Sequence, residues 1–128
     1  MKLYLSGPMS GLPDYNRAAF IAAAAKLREF GHDVVSPVEL DEKDIGERDW
    51  ADYIARDVSL ILHDDSLEAV VLLPGWTQSP GTWLEAVAAT MVARRGIRPM
   101  KLYEYGLDGD LLVLHPVFVE PMRHVLVA

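Results

Sequence analysis

The stretch KLYLSGPMSG, residues Lys2 to Gly11, decides how this chain begins to fold. Its first residues alternate in polarity and predict a β-strand over Lys2–Leu5. Ser-Gly-Pro and a second glycine follow directly and predict a loop. Two interpretations remain open from this stretch alone: a simple turn, or a loop whose bare backbone allows a ligand to approach closely.

Downstream of this loop, helix and strand signals alternate along the chain. Helices are predicted over Tyr15–Phe30 (with Asp14 as N-cap and Gly31 as the stop), from about Arg48 to His63, and from the loop PGWTQSPGT to about Arg95. Strands are predicted over Asp33–Ser36, Ala69–Leu73 and Arg98–Tyr105. The acidic segment Glu39–Glu47 is expected to be an exposed loop, and the proline-broken pieces of residues 106–128 have no predicted placement.

This alternation predicts an α/β fold in which helices cover both faces of a mainly parallel sheet. In such sheets, ligands bind beyond the carboxyl ends of the strands, where the strand order reverses. The opening loop and the loop PGWTQSPGT both follow predicted strands. We therefore expect the two loops to line one crevice.

The composition predicts one cytoplasmic domain that binds a small molecule. A chain of 128 residues has the size of a single domain, and no apolar run is long enough for a signal peptide or a membrane span. Cysteine is absent, which excludes disulfides and thiolate chemistry. The net charge of −7 disfavours binding to a nucleic-acid polymer, whereas a helix N-terminus can still hold a nucleotide-sized anion.

Asp57 interrupts an apolar stripe on the second predicted helix. The stripe consists of Trp50, Tyr53, Ile54, Val58 and Ile61, and Asp57 falls on the same face. A carboxylate is costly to bury there unless it is paired or opens to a cavity. Asp57 is therefore either a functional acid or one half of a structural ion pair, for example with Arg56.

Glu85 also has two interpretations. The sequence TWLE, Thr82 to Glu85, fits a capping box in which Thr82 caps the third helix and Glu85 bonds back to it. Alternatively, Ser79 is the N-cap and Pro80 the first helical residue. In that register Glu85 lies in the second turn, and its carboxylate projects toward the crevice beside Gly81.

Other candidates have weaker signals. Tyr4 is either a core residue or a hydroxyl that orients a carboxylate. Met9 and Trp76 lie in the two loops and either contact a flat ligand or simply pack. The histidines have no ligand spacing, so no metal site is expected.

Three separated motifs together resemble the nucleoside 2-deoxyribosyltransferase-like superfamily. They are YLSGPMSG at the start, RD ending at Asp57, and LLPGWTQSPGTWLE ending at Glu85. The pattern is most similar to a short, often phage-encoded branch of that superfamily. The resemblance covers Lys2 to about Gly96 and implies a flavodoxin-like or Rossmann-like three-layer sandwich.

The resemblance also implies an activity, namely cleavage of the N-glycosidic bond of a nucleoside or its 5′-monophosphate without a cofactor. It implies that Glu85 is the nucleophile, that Asp57 protonates or binds the base, and that Tyr4 orients Glu85. It further implies substrate-binding residues, which are Gly7, Pro8, Met9, Ser10, Gly11, Trp76, Ser79, Gly81 and Thr82. Ser79 is similar to the phosphate ligand of the monophosphate hydrolases, although Ser10 stands where those enzymes have an arginine.

Superfamily members complete their sites from a neighbouring subunit, so a homodimer or larger homo-oligomer is expected. Two other classes of function stay open at this point. One is a nucleotide-binding module without catalysis on the same fold. The other is a structural protein whose crevice is filled by its own Trp76 and Met9.

Overall fold

The computed structural model describes residues 1–43 and 49–114. The described strands are β1 (Lys2–Ser6), β2 (Asp33–Val35), β3 (Ala69–Leu72), β4 (Lys101–Tyr105) and β5 (Leu111–Val113). The described helices are α1 (Arg17–Glu29), α2 (Pro37–Lys43), α3 (Trp50–His63) and α4 (Pro80–Arg94).

Within the described residues the strands form one sheet in the order β2-β1-β3-β4-β5. The first four strands are parallel, and β5 pairs with β4 in the antiparallel direction. This order, with helices on both faces, is the flavodoxin-like three-layer arrangement, so the predicted fold class is confirmed.

The core has two parts because successive strand residues point to opposite faces of the sheet. Leu3, Leu5 and Val71 pack beneath α1, whose contribution includes Phe20 and Leu27. On the other face, Tyr4, Val70 and Leu72 pack beneath α3 and α4, together with Ile61, Ala86 and Val92. Tyr4 is therefore on the same side of the sheet as α3 and α4.

The first helix begins later than the sequence predicts. Asp14, Tyr15 and Asn16 have φ values of 48°, 53° and 60°, so the regular α-helix starts at Arg17. Asp14 is therefore not the N-cap. Instead, the Asn16 side chain donates a hydrogen bond to the Pro8 carbonyl at 2.9 Å, which connects this turn to the opening loop.

The expected exposed loop over Glu39–Glu47 is wrong for its first part, where α2 extends to Lys43. Pro37 begins this helix, and both Pro37 and Val38 are buried. Arg28 of α1 donates to Glu39 at 2.9 Å and holds the helix from outside. Residues 44–48, which include Arg48, lie outside the described residues.

The remaining boundaries differ by a few residues. The helix predicted from Arg48 begins at Trp50, with Asp49 as its N-cap. The strand predicted from Arg98 begins at Lys101, and the Arg98 guanidinium instead donates to the Leu62 carbonyl at 3.1 Å. The tail supplies β5, while residues 115–128 lie outside the described residues.

In the part of the chain that the structure describes, every helix is too short or too polar to cross a bilayer.

Candidate active site

A cavity of about 500 Å³ opens at the carboxyl end of the sheet, where the chain order reverses between β1 and β3. Residues from both predicted crevice loops and from α3 and α4 line it. Those that the sequence had indicated are Gly7, Met9, Ser10, Asp57, Ser79, Gly81, Thr82 and Glu85. The position is the one at which folds of this type bind ligands.

The position of Glu85 depends on where α4 begins. Ser79 is the N-cap, since its side chain accepts a hydrogen bond from the Thr82 backbone N–H at 3.3 Å, and Pro80 follows as the first helical residue. The Thr82 capping box is therefore not formed. Glu85 consequently lies in the second turn, only 6% exposed, on the face of α4 that packs on the sheet.

Two hydroxyl groups from β1 hold the Glu85 carboxyl. Tyr4 donates to Oε1 at 3.4 Å, and Ser6 donates to Oε2 at 3.1 Å. Tyr4 and Ser6 are two residues apart on one strand, so their side chains share a face of the sheet. The carboxyl thus has a fixed orientation at the floor of the cavity.

Asp57 approaches the same region from α3 and is 5% exposed. Arg56 donates from Nε to Asp57 Oδ1 at 2.8 Å, and its Nη2 lies 2.8 Å from Asp41 Oδ1 of α2. The negative charge of Asp57, like that of Glu85, acts on the Tyr4 hydroxyl. The sequence left two alternatives for Asp57, an ion pair with Arg56 and a position that opens to a cavity. Both occur together.

The electrostatics of the site are governed by burial. Burial raises the pKa of Glu85 to about 8, and the negative charge of Asp57 acts in the same direction. Burial also raises the pKa of Asp57, although Arg56 opposes this rise. The pKa of Tyr4 is well above its ordinary value because the ring is fully buried and two carboxyls surround its hydroxyl.

Four of the predicted site residues are not among the described residues that line the cavity, namely Tyr4, Pro8, Gly11 and Trp76. Trp76 is buried beside α4, where its ring centroid lies 4.8 Å from that of Trp83 and its indole N–H donates to Glu104 at 3.4 Å. Trp76 therefore does not fill the crevice, and Met9 lines the cavity wall.

The two glycines of the opening loop are required for different structural reasons. Gly11 has a φ of 79°, a conformation that other residues rarely adopt. At Gly7, which lines the cavity, a Cβ atom would lie 2.8 Å from the Leu73 Cβ. The absence of a side chain at Gly7 thus lets the loops after β1 and β3 pack closely together.

Several residues of this site were not predicted from the sequence. Ser6 was detectable, because the two-residue period of a strand places it beside Tyr4. Asp41 and Arg17 also line the cavity, but they come from or next to segments whose boundaries were predicted incorrectly. Arg17 forms an ion pair with Glu42.

These groups can perform acid–base or nucleophilic chemistry on a small molecule. Two carboxyls with different surroundings face one cavity, and unequal environments separate an acid from a base. Within residues 1–43 and 49–114, no cluster of three or more His, Asp or Glu side chains is arranged to hold a metal ion.

Comparison with protein families identifies a family model that covers most of the chain. A family model described as "Domain of unknown function (DUF4406)" matches residues 1–95 of the 128-residue chain. This range includes Asp57, Glu85 and the rest of the described cavity lining, together with Tyr4, which bonds to Glu85. No curated protein and no solved structure matches the chain significantly.

Proposed function

The chain belongs to the family described as Domain of unknown function (DUF4406), and we propose that it cleaves the N-glycosidic bond of a nucleoside or nucleoside 5′-monophosphate. The observation that supports this most directly is the pair of buried carboxyls, Asp57 and Glu85, from two helices on one cavity. The resemblance of three motifs to the nucleoside 2-deoxyribosyltransferase-like superfamily supports the choice of substrate.

Cleavage of this bond develops positive charge at C1′ of the sugar, and a carboxylate beside that carbon stabilises or traps it. In the proposed reaction a Glu85 oxygen bonds to C1′ while the carbon–nitrogen bond breaks and its electrons pass to the base. Asp57 gives its proton to the base nitrogen. Water, or the N–H group of a second base in a transferase, then attacks C1′ and gives its proton to the Asp57 carboxylate, while the bond from C1′ to Glu85 breaks and Glu85 leaves as a carboxylate.

The wall formed by the start of α4 suits the 5′ end of the substrate. Ser79, Gly81 and Thr82 line the cavity there, and a helix N-terminus favours a phosphate. Ser10, which stands where the monophosphate hydrolases have an arginine, supplies no positive charge. Arg17, at the start of α1, adds positive charge to the same cavity. The family resemblance implies that no cofactor takes part and that a homodimer or larger assembly completes the site.

The decisive experiment incubates the protein with a panel of nucleosides and 5′-monophosphates and measures free base by chromatography. We expect base release from at least one member of the panel and a loss of about 10³-fold or more in Glu85→Ala. Glu29→Ala is the matched control, because Glu29 is an exposed glutamate on α1. Equal activity of Glu85→Ala and the parent protein would exclude Glu85 as the nucleophile.

A second candidate function is nucleotide binding without catalysis. The raised pKa of Glu85, about 8, favours this alternative because a protonated carboxyl is not a nucleophile. Such a protein would be stabilised against thermal unfolding by a nucleotide yet release no base.

Within the enzymatic proposal, adding a second free base separates transfer from hydrolysis, since only a transferase forms a new nucleoside.

A further inference from the structure

One wall of the cavity has no part in the proposed reaction. Helix α2 contributes Pro37, Val38 and Asp41 to this wall. Asp41 is three residues from Val38 and four from Pro37, so the three side chains share one face of the helix. Pro37 and Val38 are buried. The wall therefore combines two apolar residues with a carboxyl group.

The Asp41 side chain has an inner and an outer part. Its Oδ1 is buried and lies 2.8 Å from Arg56 Nη2. The side chain as a whole is nevertheless 31% exposed, so the exposed surface belongs to its other atoms. Arg56 thus holds one oxygen inside the protein, and Oδ2 is the oxygen that a ligand in the cavity can reach.

Asp41 lies close to the carboxyl that the proposed reaction places at the base. Arg56 Nη2 is 2.8 Å from Oδ1 of Asp41 and also 2.8 Å from Oδ1 of Asp57. These two oxygens are therefore separated by at most twice that distance, a span that one nucleobase can bridge. A base beside Asp57 consequently presents another part of its edge to Asp41.

We propose that Asp41 selects the base, and that the preferred substrate carries a base with an exocyclic amino group, as in adenine or cytosine. The inference rests on the proposed function, because that reaction places the base beside Asp57. A carboxylate accepts hydrogen bonds and donates none. An amino group at the edge of the base donates to Asp41 Oδ2. A carbonyl oxygen in the same place, as in hypoxanthine or uracil, meets a second acceptor and is repelled.

The contacts of Arg56 make Asp41 suitable for this role. The guanidinium pairs with Asp41 through Nη2 and donates to Asp57 through Nε at 2.8 Å, so one group fixes the spacing of both carboxyls. Groups that are already in place lose little freedom when a ligand binds. A keto base leaves the Asp41 carboxylate without a donor, and an unpaired polar group of this kind discriminates strongly between ligands.

The test uses pairs of nucleosides in which an amino group is replaced by a carbonyl, namely adenosine with inosine and cytidine with uridine, in the sugar and phosphate form that the parent protein cleaves. Asp41→Asn keeps the size of the side chain but introduces an amide that donates to a carbonyl oxygen. We expect the amino-to-keto ratio of kcat/KM to fall by on the order of 10- to 100-fold in this variant. An unchanged ratio would overturn the inference even if both rates dropped, because equal losses indicate a positioning role only.

Glu42→Gln is the matched control. It removes one negative charge from the same helix, but Glu42 is not among the described residues that line the cavity, and its side chain is 52% exposed. We expect its amino-to-keto ratio to equal that of the parent. The same fall in Glu42→Gln as in Asp41→Asn would assign the preference to the charge of α2 and overturn direct recognition by Asp41.

Binding of the free bases separates this inference from the proposed reaction. Isothermal titration calorimetry with adenine, hypoxanthine, cytosine and uracil requires no bond cleavage. We expect the parent to bind the amino member of a pair more tightly and Asp41→Asn to lose that preference. Such a preference without base release from any nucleoside would overturn the reaction and leave the role of Asp41 intact. Base release with no dependence of either measurement on Asp41 would overturn the inference and leave the reaction intact, and a protein that neither binds nor releases a base would overturn both.

Discussion

Glu85 makes the stability of the fold depend on pH. Its pKa is about 8 in the folded protein against an ordinary value of 4.5, so the folded state binds this proton more tightly than the unfolded state. The stabilisation by the protonated carboxyl is complete below about pH 4.5 and is lost as the pH rises to about 8.

Replacing Glu85 by glutamine should therefore stabilise the protein increasingly with pH. We expect the free energy of unfolding of Glu85→Gln to be close to that of the parent at pH 5 and to exceed it by several kcal/mol at pH 9. Denaturant unfolding at a series of pH values measures the difference, with Glu29→Gln as an exposed control. A difference that does not change with pH would contradict the burial of a titrating Glu85.

The same group sets the alkaline limit of the proposed reaction. The carboxyl pair is active when it holds one proton, so kcat/KM should fall above about pH 8 as that proton leaves. An N7-methylated purine nucleoside releases a neutral base without protonation. With this substrate, the variant Asp57→Asn therefore needs only the ionisation of Glu85 for the reaction. The rate should then rise with pH to a plateau, with a midpoint below 8 because the charge of Asp57 no longer raises the pKa of Glu85. A retained alkaline fall in this variant would contradict the assignment.

At the scale of the elements, two glycines fix how neighbouring segments approach each other. A Cβ atom on Gly7 would lie 2.8 Å from the Leu73 Cβ, and one on Gly81 would lie 2.8 Å from the Ile54 Cδ1. The Leu73 Cβ is attached to the backbone and cannot move alone, whereas the Ile54 Cδ1 is the flexible end of its side chain. Equal distances therefore imply unequal costs.

We expect Gly7→Ala to lower the free energy of unfolding by about 1–3 kcal/mol, as overpacking does. Gly81→Ala should change it by less than about 1 kcal/mol, because Ile54 can rotate and alanine favours the helix. Chemical denaturation of both variants provides the comparison. Equal losses in the two variants would show that the contact partner does not decide the outcome.

The sequence predicted elements whose signals are local. Alternation within β1, the continuous apolar run of β3 and the apolar stripe of α3 identified most of the sheet and its cover. Helix α2 was missed because it is short and acidic, and it depends on Arg28 of a different helix. The left-handed turn at residues 14–16 was missed because none of these residues is a glycine.

As with the helices and strands, the sequence predicted the site residues whose signals are local. Asp57 was detectable as a carboxylate on an apolar stripe, and Glu85 as a residue with two possible helix registers. The ion pair of Arg56 with Asp41 joins α3 to α2, a helix that the sequence did not indicate. Contacts of this kind arise from tertiary packing and have no signature in the local pattern.

At the scale of the whole molecule, the sheet separates the site from half of the core. Tyr4, Asp57 and Glu85 belong to the layer containing α3 and α4, while α1 packs on the opposite face. Two consecutive residues of β3 point into different layers. Val70 pairs in register with Tyr4 and points toward α3 and α4, and Val71 points toward α1.

Val70→Ala and Val71→Ala should therefore have similar effects on stability and different effects on the site. Both side chains are fully buried, so each substitution should cost about 2 kcal/mol in unfolding free energy. A cavity at Val70 lets Tyr4 shift and weakens its hydrogen bond to Glu85. In Val70→Ala we therefore expect a change in the titration midpoint of the Glu85 carboxyl, measured by ¹³C NMR, and in the single-turnover rate of base release. Both should stay close to the parent values in Val71→Ala. If Val71→Ala disturbed the Glu85 titration as much as Val70→Ala, the sheet would not insulate the two layers, and the site would depend on the whole core.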